Sequence, residues 1–512
     1  VRGGESVATN VFTPYSTAAG LFGQKPGWVT DELDVMRIQS YQLYEQIYWT
    51  VPDIFKIQFR GTNDKAIYLP SARTVVDTTD RYAGAQFAIN LTDRVSGASD
   101  SADVVAAREV LRDLFARERF RSKFDGNKLY GIIRGDWVWH ITANPNKPQG
   151  SRISIVSIDP AMYFPVTSDD DVDEVIAVHL AVQISTPDGA RIHRLTYRKE
   201  QSAPGVFTGR ITVEEGLFKL DKWEMPDTKP DRVIQQPTQL PDSITAIPVY
   251  HVKNFEEPGN PFGSSDVRGF EVLMGAINQT VSDEDLALAL EGIGMYATDA
   301  PEPTDDDGVV VGWRLGPGRV VHHPEGSTFN RVDGVKSFGP YGDHFDRLVS
   351  SLRQAAATPD VAIGTVNVEI AQSGIALALQ LSPLVAKTEK KNHLLIDVHT
   401  QMFFDILNGW YPAYEATSFE NLRIEAACGS AVPVDRAERF TELNDMLDRK
   451  VIDPQYYRDE ATKLGYVFPS DIQNRLDGQA EKDAANTAAA FGATALAANA
   501  NDTTPPEGSP TQ

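Results

Sequence analysis

The sequence predicts an α+β fold organised around an interrupted helical hairpin, and three observations lead to it. Behind Ser264 and Ser265, either of which suits a helix N-cap, the apolar residues Val267, Phe270, Leu273, Met274, Ile277 and Val281 recur at helical spacing. Residues 293–342 are rich in Gly, Pro, Asp and Val and cannot continue that helix, so short strands and turns are expected there. A helical pattern returns near Asp343 in "DHFDRLVSSLRQAAA" and stops at Thr358-Pro359, since the residue before a proline avoids the helical region.

Composition sets the class. The chain has 512 residues, 41% hydrophobic and 23% charged, as in globular proteins with more than one core. No apolar run is long enough to span a bilayer, and no signal-peptide pattern opens the chain. The single cysteine, Cys428, allows no internal disulfide and fits a reducing compartment. A formal net charge of −23 argues against a protein that grips nucleic acid over its whole surface.

In chain order, residues 1–30 lack periodicity and are read as an extended arm. Thr30-Asp31 caps a helix carrying Leu33, Met36, Ile38, Tyr41, Leu43, Tyr44 and Tyr48, which ends at Val51-Pro52. The tyrosines fall at helical spacing and are read as core, not as a base-stacking face. "FKIQFRG" and "AIYLPSARTVVDTTDRYAG" follow as strand-like sequence. A helix is expected from Asp103 to Phe124, with Arg112, Arg117, Arg119, Arg121 and Lys123 interleaved with acids as a solvated face. From Leu129 to Val252 strands dominate, with turns at Asn144-Pro145 and a hairpin at Pro187-Asp188-Gly189. Asp169, Asp171 and Asp173 have calcium-loop spacing, but Glu174 stands where that loop requires Gly.

"GVVVGWRLGPGRVVHH" is expected to form two short strands around Gly316-Pro317-Gly318. After Pro359, a Gly-bearing loop is capped by Ser373 and runs into a long helix reaching about Asn408, kinked at Pro383. A strand, "FENLRIEAACG", and two or three short helices around Asp453-Pro454 and Phe468-Pro469 come next. The Ala, Asn, Thr and Pro-rich remainder from Gln479 is expected to be disordered.

Helix, small β insert, returning helix, loop and long helix follow one another in an order that resembles the portal proteins of tailed bacteriophages. The segment "TPDVAIGTVNVEIAQSGIALALQLSPL", with P-x-x-A-x-G, S-G-x-A-L and a closing P-L, is similar to that family's tunnel-loop segment. "SIDPAMYFPVTSDDDVDEVIAVHLA" and "RIQSYQLYEQIYWTVPDIF" resemble its wing. The resemblance runs from about residue 30 to 465 and implies a division of the chain. It gives a wing at 31–262, stem helices at 263–292 and 343–357, a clip at 293–342 and a tunnel loop at 358–373. A long wing helix with its strand follows at 374–430, then a helical crown at 431–478 and the tail at 479–512.

The same resemblance implies function. It implies a ring of twelve subunits at one capsid vertex of the virion, assembled in the host cytoplasm, through which double-stranded DNA is packaged and ejected. The terminase large subunit, a head–tail adaptor protein and the major capsid protein would be its partners. Val267, Phe270, Ile277, Leu348 and Leu352 would pack stem helices, partly between subunits. Trp313, Arg319, Phe329 and Arg331 would meet clip partners. Val366, Asn367, Val368, Glu369 and Gln372 would approach the DNA in the tunnel loop. Asp266, Glu271, Asp283, Glu284, Asp285 and Glu291, against Arg268 alone, would make the stem lumen acidic.

No cofactor, metal or catalytic constellation is expected. G-x-x-x-x-G-K-[ST] and even a Gly-Lys pair are absent, as are G-x-S-x-G, H-E-x-x-H and C-x-x-C. His322 and His323 would point to opposite faces of a strand, and His393 and His399 do not share a helix face. A different class, an acidic α+β enzyme such as a glycoside hydrolase, would need a carboxylate pair that spacing does not reveal. A capsid subunit is disfavoured by the helix–insert–helix order.

Overall fold

The computed structural model describes residues 27–58, 65–168, 170–203, 205–225, 228–293, 295–313, 323–332, 339–364, 374–429 and 436–463, with isolated helical residues between 472 and 482. The fold is α+β. The chain divides into two units, Val1–Val432 and Pro433–Gln512.

The first unit opens with helix α1 (Glu32–Tyr48), capped by the Asp31 carboxylate accepting from the amides of Leu33 and Asp34. Ile38, Tyr41, Tyr44, Ile47 and Tyr48 are buried, so the aromatic run is core. Ser71–Tyr82 forms helix α2, not the expected strand. Its β-branched residues favour a strand locally, but Ala72, Val75, Val76 and Thr79 align on one buried helical face. Thr78 and Thr79 then donate their hydroxyls to the carbonyls of Thr74 and Val75.

Strand β1 (Ala88–Asp93) precedes α3 (Ala102–Glu118) and α4 (Phe120–Arg134). The single helix expected over this region is broken at Arg119, which adopts φ 51°. Helix α4 also takes residues 129–134 from the expected strand, because Phe120, Phe124, Asn127 and Gly131 continue a buried helical face. Gly135 ends it at φ 110°, where a Cβ would sit 2.8 Å from the Gly263 carbonyl oxygen.

Eight strands follow: β2 (Asp136–Ala143), β3 (Ile153–Ile158), β4 (Tyr163–Thr167), β5 (Val175–Thr186), β6 (Gly189–Ala203), β7 (Val206–Phe218), β8 (Arg232–Gln239) and β9 (Val249–Lys253). They make two antiparallel sheets, ordered β3-β2-β9 and β4-β5-β6-β7-β8. The hairpin joining β5 to β6 turns through Pro187 and Asp188, with Thr186 opposite Gly189, as the sequence predicts. Val138, Met162, Leu180, Tyr197 and Ile211 fill the core between the sheets.

Helix α5 (Glu271–Ile293), strands β10 (Met295–Thr298) and β11 (Phe329–Val332), and helix α6 (Gly339–Ala355) form the hairpin and its insert. Helix α5 starts later than Ser264 and Ser265 suggest, because Gly269 at φ 88° separates a preceding turn from the helix. Of the expected strand pair around Gly316, residues 314–322 lie outside the described residues, and Val310 bridges Thr304.

A short 3₁₀ turn (Asp360–Ile363) leads towards α7 (Gly374–Asp405), 32 residues and about 48 Å long. The helix then widens to a π-helix over Ile406–Glu415. Pro412 supplies no N–H there, and Ser243 Oγ donates to the Gly409 carbonyl, so an α-helical ladder is interrupted from two sides. Strand β12 (Leu422–Ala427) pairs antiparallel with β1. The largest core gathers Phe120, Trp139, Ile155, Phe403, Ile406 and Trp410 between these helices and the three-stranded sheet.

In the second unit, α8 (Arg436–Asp448) and α9 (Pro454–Lys463) pack through Leu443 and Ala461. Tyr457 donates to Asn444 Oδ1 at 2.8 Å. The expected helix end at Phe468-Pro469 lies outside the described residues.

Candidate functional site

The base of the hairpin is built on a buried carboxylate. In the turn before α5, Ser265 Oγ accepts from the Val267 amide at 3.0 Å and donates to the Ile133 carbonyl. That turn drives Asp266 inward, where it is 4% exposed. Lys387 and Lys391 lie one turn apart on α7 and both reach it. Lys391 Nζ donates to Asp266 Oδ1, while Lys387 Nζ stands 2.6 Å from Oδ2 as an ion pair. Asn254, just past β9, donates to Asp266 Oδ1 at 2.9 Å and accepts from Lys391.

The electrostatics follow from two ammonium groups sharing one carboxylate. Burial alone would raise the Asp266 pKa, but Lys391 and Lys387 outweigh it and hold the carboxyl well below its ordinary range. Burial pushes Lys391 down to about 8, against the attraction of Asp266. Such a buried cluster adds little net stability when intact, whereas removing one partner strands the others.

Lys387 also donates to Thr79 Oγ1 at 3.1 Å and to the Ala356 carbonyl at 3.0 Å. Asp266 begins the outgoing leg of the hairpin and Ala356 ends the returning leg. One turn of α7 therefore holds both feet of the hairpin and ties them to α2. Upstream on α7, Ser382 Oγ donates at 2.8 Å to the Leu379 carbonyl, the group that Pro383 cannot serve, and the helix continues through the proline.

Val267, Ile277 and Leu352 are buried, and Phe270 and Leu348 half-buried, in a cluster with Tyr44, Val76 and Ile133. All five therefore pack against elements of their own chain. Val272 and Leu288 of α5 remain outside that cluster, 85% and 48% exposed. The expected row of lumen acids loses one member, because Asp266 is buried and ion-paired, and Arg268 is taken by Glu257 at 2.6 Å.

In the insert, Tyr296 stacks on Phe329 at 5.5 Å, and Trp313 meets Phe329 edge-on at 5.3 Å. Trp313 and Phe329 thus share one aromatic cluster, and Arg331 pairs with Tyr296 in the ladder. Arg319, Val366, Asn367, Val368, Glu369 and Gln372 lie outside the described residues.

Sequence reasoning missed three buried polar centres. The first is the Asp266 cluster, whose only local signal is a lysine pair four residues apart in an apolar-rich helix. The second is Asp136, which accepts from the Tyr41 hydroxyl, from His251 Nε2 at 2.6 Å and from the Gly263 amide at 2.7 Å. The third is Arg134, held at 2.7 Å by both Asp159 and Glu45. Among the described residues no group of three His, Cys, Asp or Glu side chains is arranged to hold a metal, and Asp169 of the calcium-like run lies outside them. No described helix is long and apolar enough to cross a membrane.

No protein-family model matches the chain, and no curated protein does. Among solved structures it is similar to a chain in the neck of an empty gene transfer agent particle computed with C6 symmetry. The TM-score there is 0.42 and the identity 12%, over 78% of this chain and 91% of that one. A chain in the virion of the native gene transfer agent particle gives TM-score 0.41 and 11% identity, over 84% of this chain and 94% of that one. A chain in the neck of the native particle computed with C12 symmetry gives TM-score 0.41 and 12% identity, over 78% and 91%.

Proposed function

We propose that this chain is a portal subunit of a tailed-phage-type particle, a structural protein and not an enzyme. It would assemble as a closed ring at one capsid vertex and give double-stranded DNA its passage during packaging and ejection. The observation that carries this reading is the anchoring of both hairpin feet to one turn of α7 through Asp266, Lys387 and Ala356. A helical hairpin bearing a small β insert is thereby a fixed strut, about 35 Å long on its α5 leg. A strut locked at its base suits the wall of a passage and has no evident use in a substrate cleft.

In this reading the insert around Tyr296, Trp313 and Phe329 faces the terminase large subunit and the head–tail adaptor, and the major capsid protein surrounds the ring. The loop before α7 approaches the DNA. Acids on α5 outnumber bases, so the wall gives phosphates little counterion-release gain and DNA slides without sticking. The test is the mass and shape of the purified chain. A particle of several hundred kilodaltons with a central hole by electron microscopy is expected. A monomer at every accessible concentration would overturn the reading.

A further inference from the structure

The first unit carries a knob and a socket of opposite character. The outward side of α1 presents Leu33 and Met36, 67% and 62% exposed, with Leu43 at 37% continuing the stripe. The three exposed apolar side chains fall along one side of the helix and are not scattered over its surface. Glu32 borders the stripe, is exposed, and has no ion-pair partner among the described residues.

The socket is a cavity of about 560 Å³ between α3, α4 and the segment entering β1. Its floor is aromatic, with Phe87 stacked on Phe124 at 4.5 Å and Phe115 on Phe120 at 4.7 Å. Arg121 stands exposed on its lip, without an ion-pair partner among the described residues, with exposed Asp125 one turn further along α4. The sequence predicts Arg121 on a solvated face interleaved with acids; in that face Lys123 and Arg117 reach Glu118 and β3 carbonyls, and Arg112 lies 3.8 Å from Asp113. Arg121 is left for something else.

We propose that α1 of one copy docks into this socket of the next, with Leu33 and Met36 on the phenylalanine floor and Glu32 against Arg121. The chain itself supplies an apolar stripe for the aromatic floor and an acid for Arg121, which favours a second copy over another partner. The two surfaces lie at opposite ends of α4. The socket uses its first turns, while α1 is tied to its last turn through Glu45 and Arg134. Contacts between unlike surfaces of identical chains run head to tail and give a ring where the rotation from copy to copy closes. The inference rests on the ring reading above and assigns one of its subunit contacts.

The test mixes two disabled proteins. Met36→Asp spoils the knob, and Ala116→Arg, at an exposed residue lining the cavity, fills the socket. Each alone is expected to stay monomeric by mass photometry, with a far-UV spectrum like the parent. Mixed in equal amounts, they should give a dimer through the one intact pair of surfaces and nothing larger. A second pair guards against misfolding. Glu32→Arg or Arg121→Glu alone should raise the concentration for half-assembly about tenfold or more, and the two reversals in one chain should restore it. Rings formed normally by all four single variants would overturn the docking but leave the ring reading intact. A parent chain that never assembles would overturn both. Loss of rings in Met36→Asp without complementation by Ala116→Arg would assign α1 to a different occupant and also reject the socket.

Discussion

The indole N–H of Trp139 donates to Nε2 of His399 across 3.0 Å, joining the middle of β2 to α7 inside the largest core. Nδ1 of the same ring lies 2.7 Å from the Leu395 carbonyl, so it must be the protonated nitrogen and the imidazole is neutral. Burial pushes His399 down to about 4, and His140 and His179 to about 3.

These histidines make the fold acid-sensitive. Their folded pKa values lie below the unfolded value of 6.5, so the unfolded chain binds more protons as pH falls. Stability is full above about pH 6.5 and is lost towards pH 4, by up to about 1.4 kcal/mol per pH unit for each histidine. Denaturant midpoints at pH 7, 6 and 5 should fall progressively, and His399→Gln should shallow that slope. A midpoint flat from pH 7 to 5 would contradict the buried neutral assignment.

Asp266→Asn should be among the most damaging single changes in the hairpin. It leaves Lys387 and Lys391 facing each other without a counter-charge, at a cost of about 3–5 kcal/mol. Hydrogen exchange should accelerate in α5 and at the end of α6 more than in the five-stranded sheet. Replacing Asp266, Lys387 and Lys391 together by apolar residues should recover much of the loss. Below about pH 4 the wild type should move the same way, because a carboxylate held below its ordinary range contributes stability that disappears as pH drops.

Gly135→Ala tests the junction between α4 and β2. Alanine at φ 110° is strained by about 1–3 kcal/mol, and its Cβ would press on the Gly263 carbonyl. A marked fall in melting temperature is expected. Gly97→Ala, also at positive φ but with open space around it, should cost less, and equal losses would show that contact adds nothing.

Two changes bear on the proposed passage. Removing Val366 to Glu369 should leave folding and rings intact and disturb DNA packaging or retention in infected cells. Reversing Arg319 and Arg331 should lower packaging while rings persist. Normal packaging in the first variant would take the loop away from the DNA. Loss of rings in the second would make those arginines assembly residues.

What the sequence made legible was mostly local. A cap at Thr30-Asp31, the tyrosine face of α1, the Pro187-Asp188 turn and the end of the returning helix near Thr358 all depend on neighbours within a few residues. The reading failed where tertiary packing outvoted local preference. The β-branched run of α2 became helical because its buried face needed a period of 3.6, and Arg119 broke a helix that propensity would have continued. Asp266 was read as a lumen acid because its partners lie more than 100 residues away, at Lys387 and Lys391.

The pairing of β1 with β12 sets a clock on synthesis. Asp93 meets Leu422 and Ala88 meets Ala427, so the edge of β1 has no ladder partner until the last strand of the unit has been made. At about 5–20 residues per second, the ribosome needs roughly 17–70 s to cover that interval. For that time Ile89 and Leu91 sit on an unpaired strand beside the hydrophobic faces of α3 and α4. Closure of this pair at so long a sequence separation would be a late and slow folding event, and the nascent chain would be most open to mispairing with a neighbouring copy just before it.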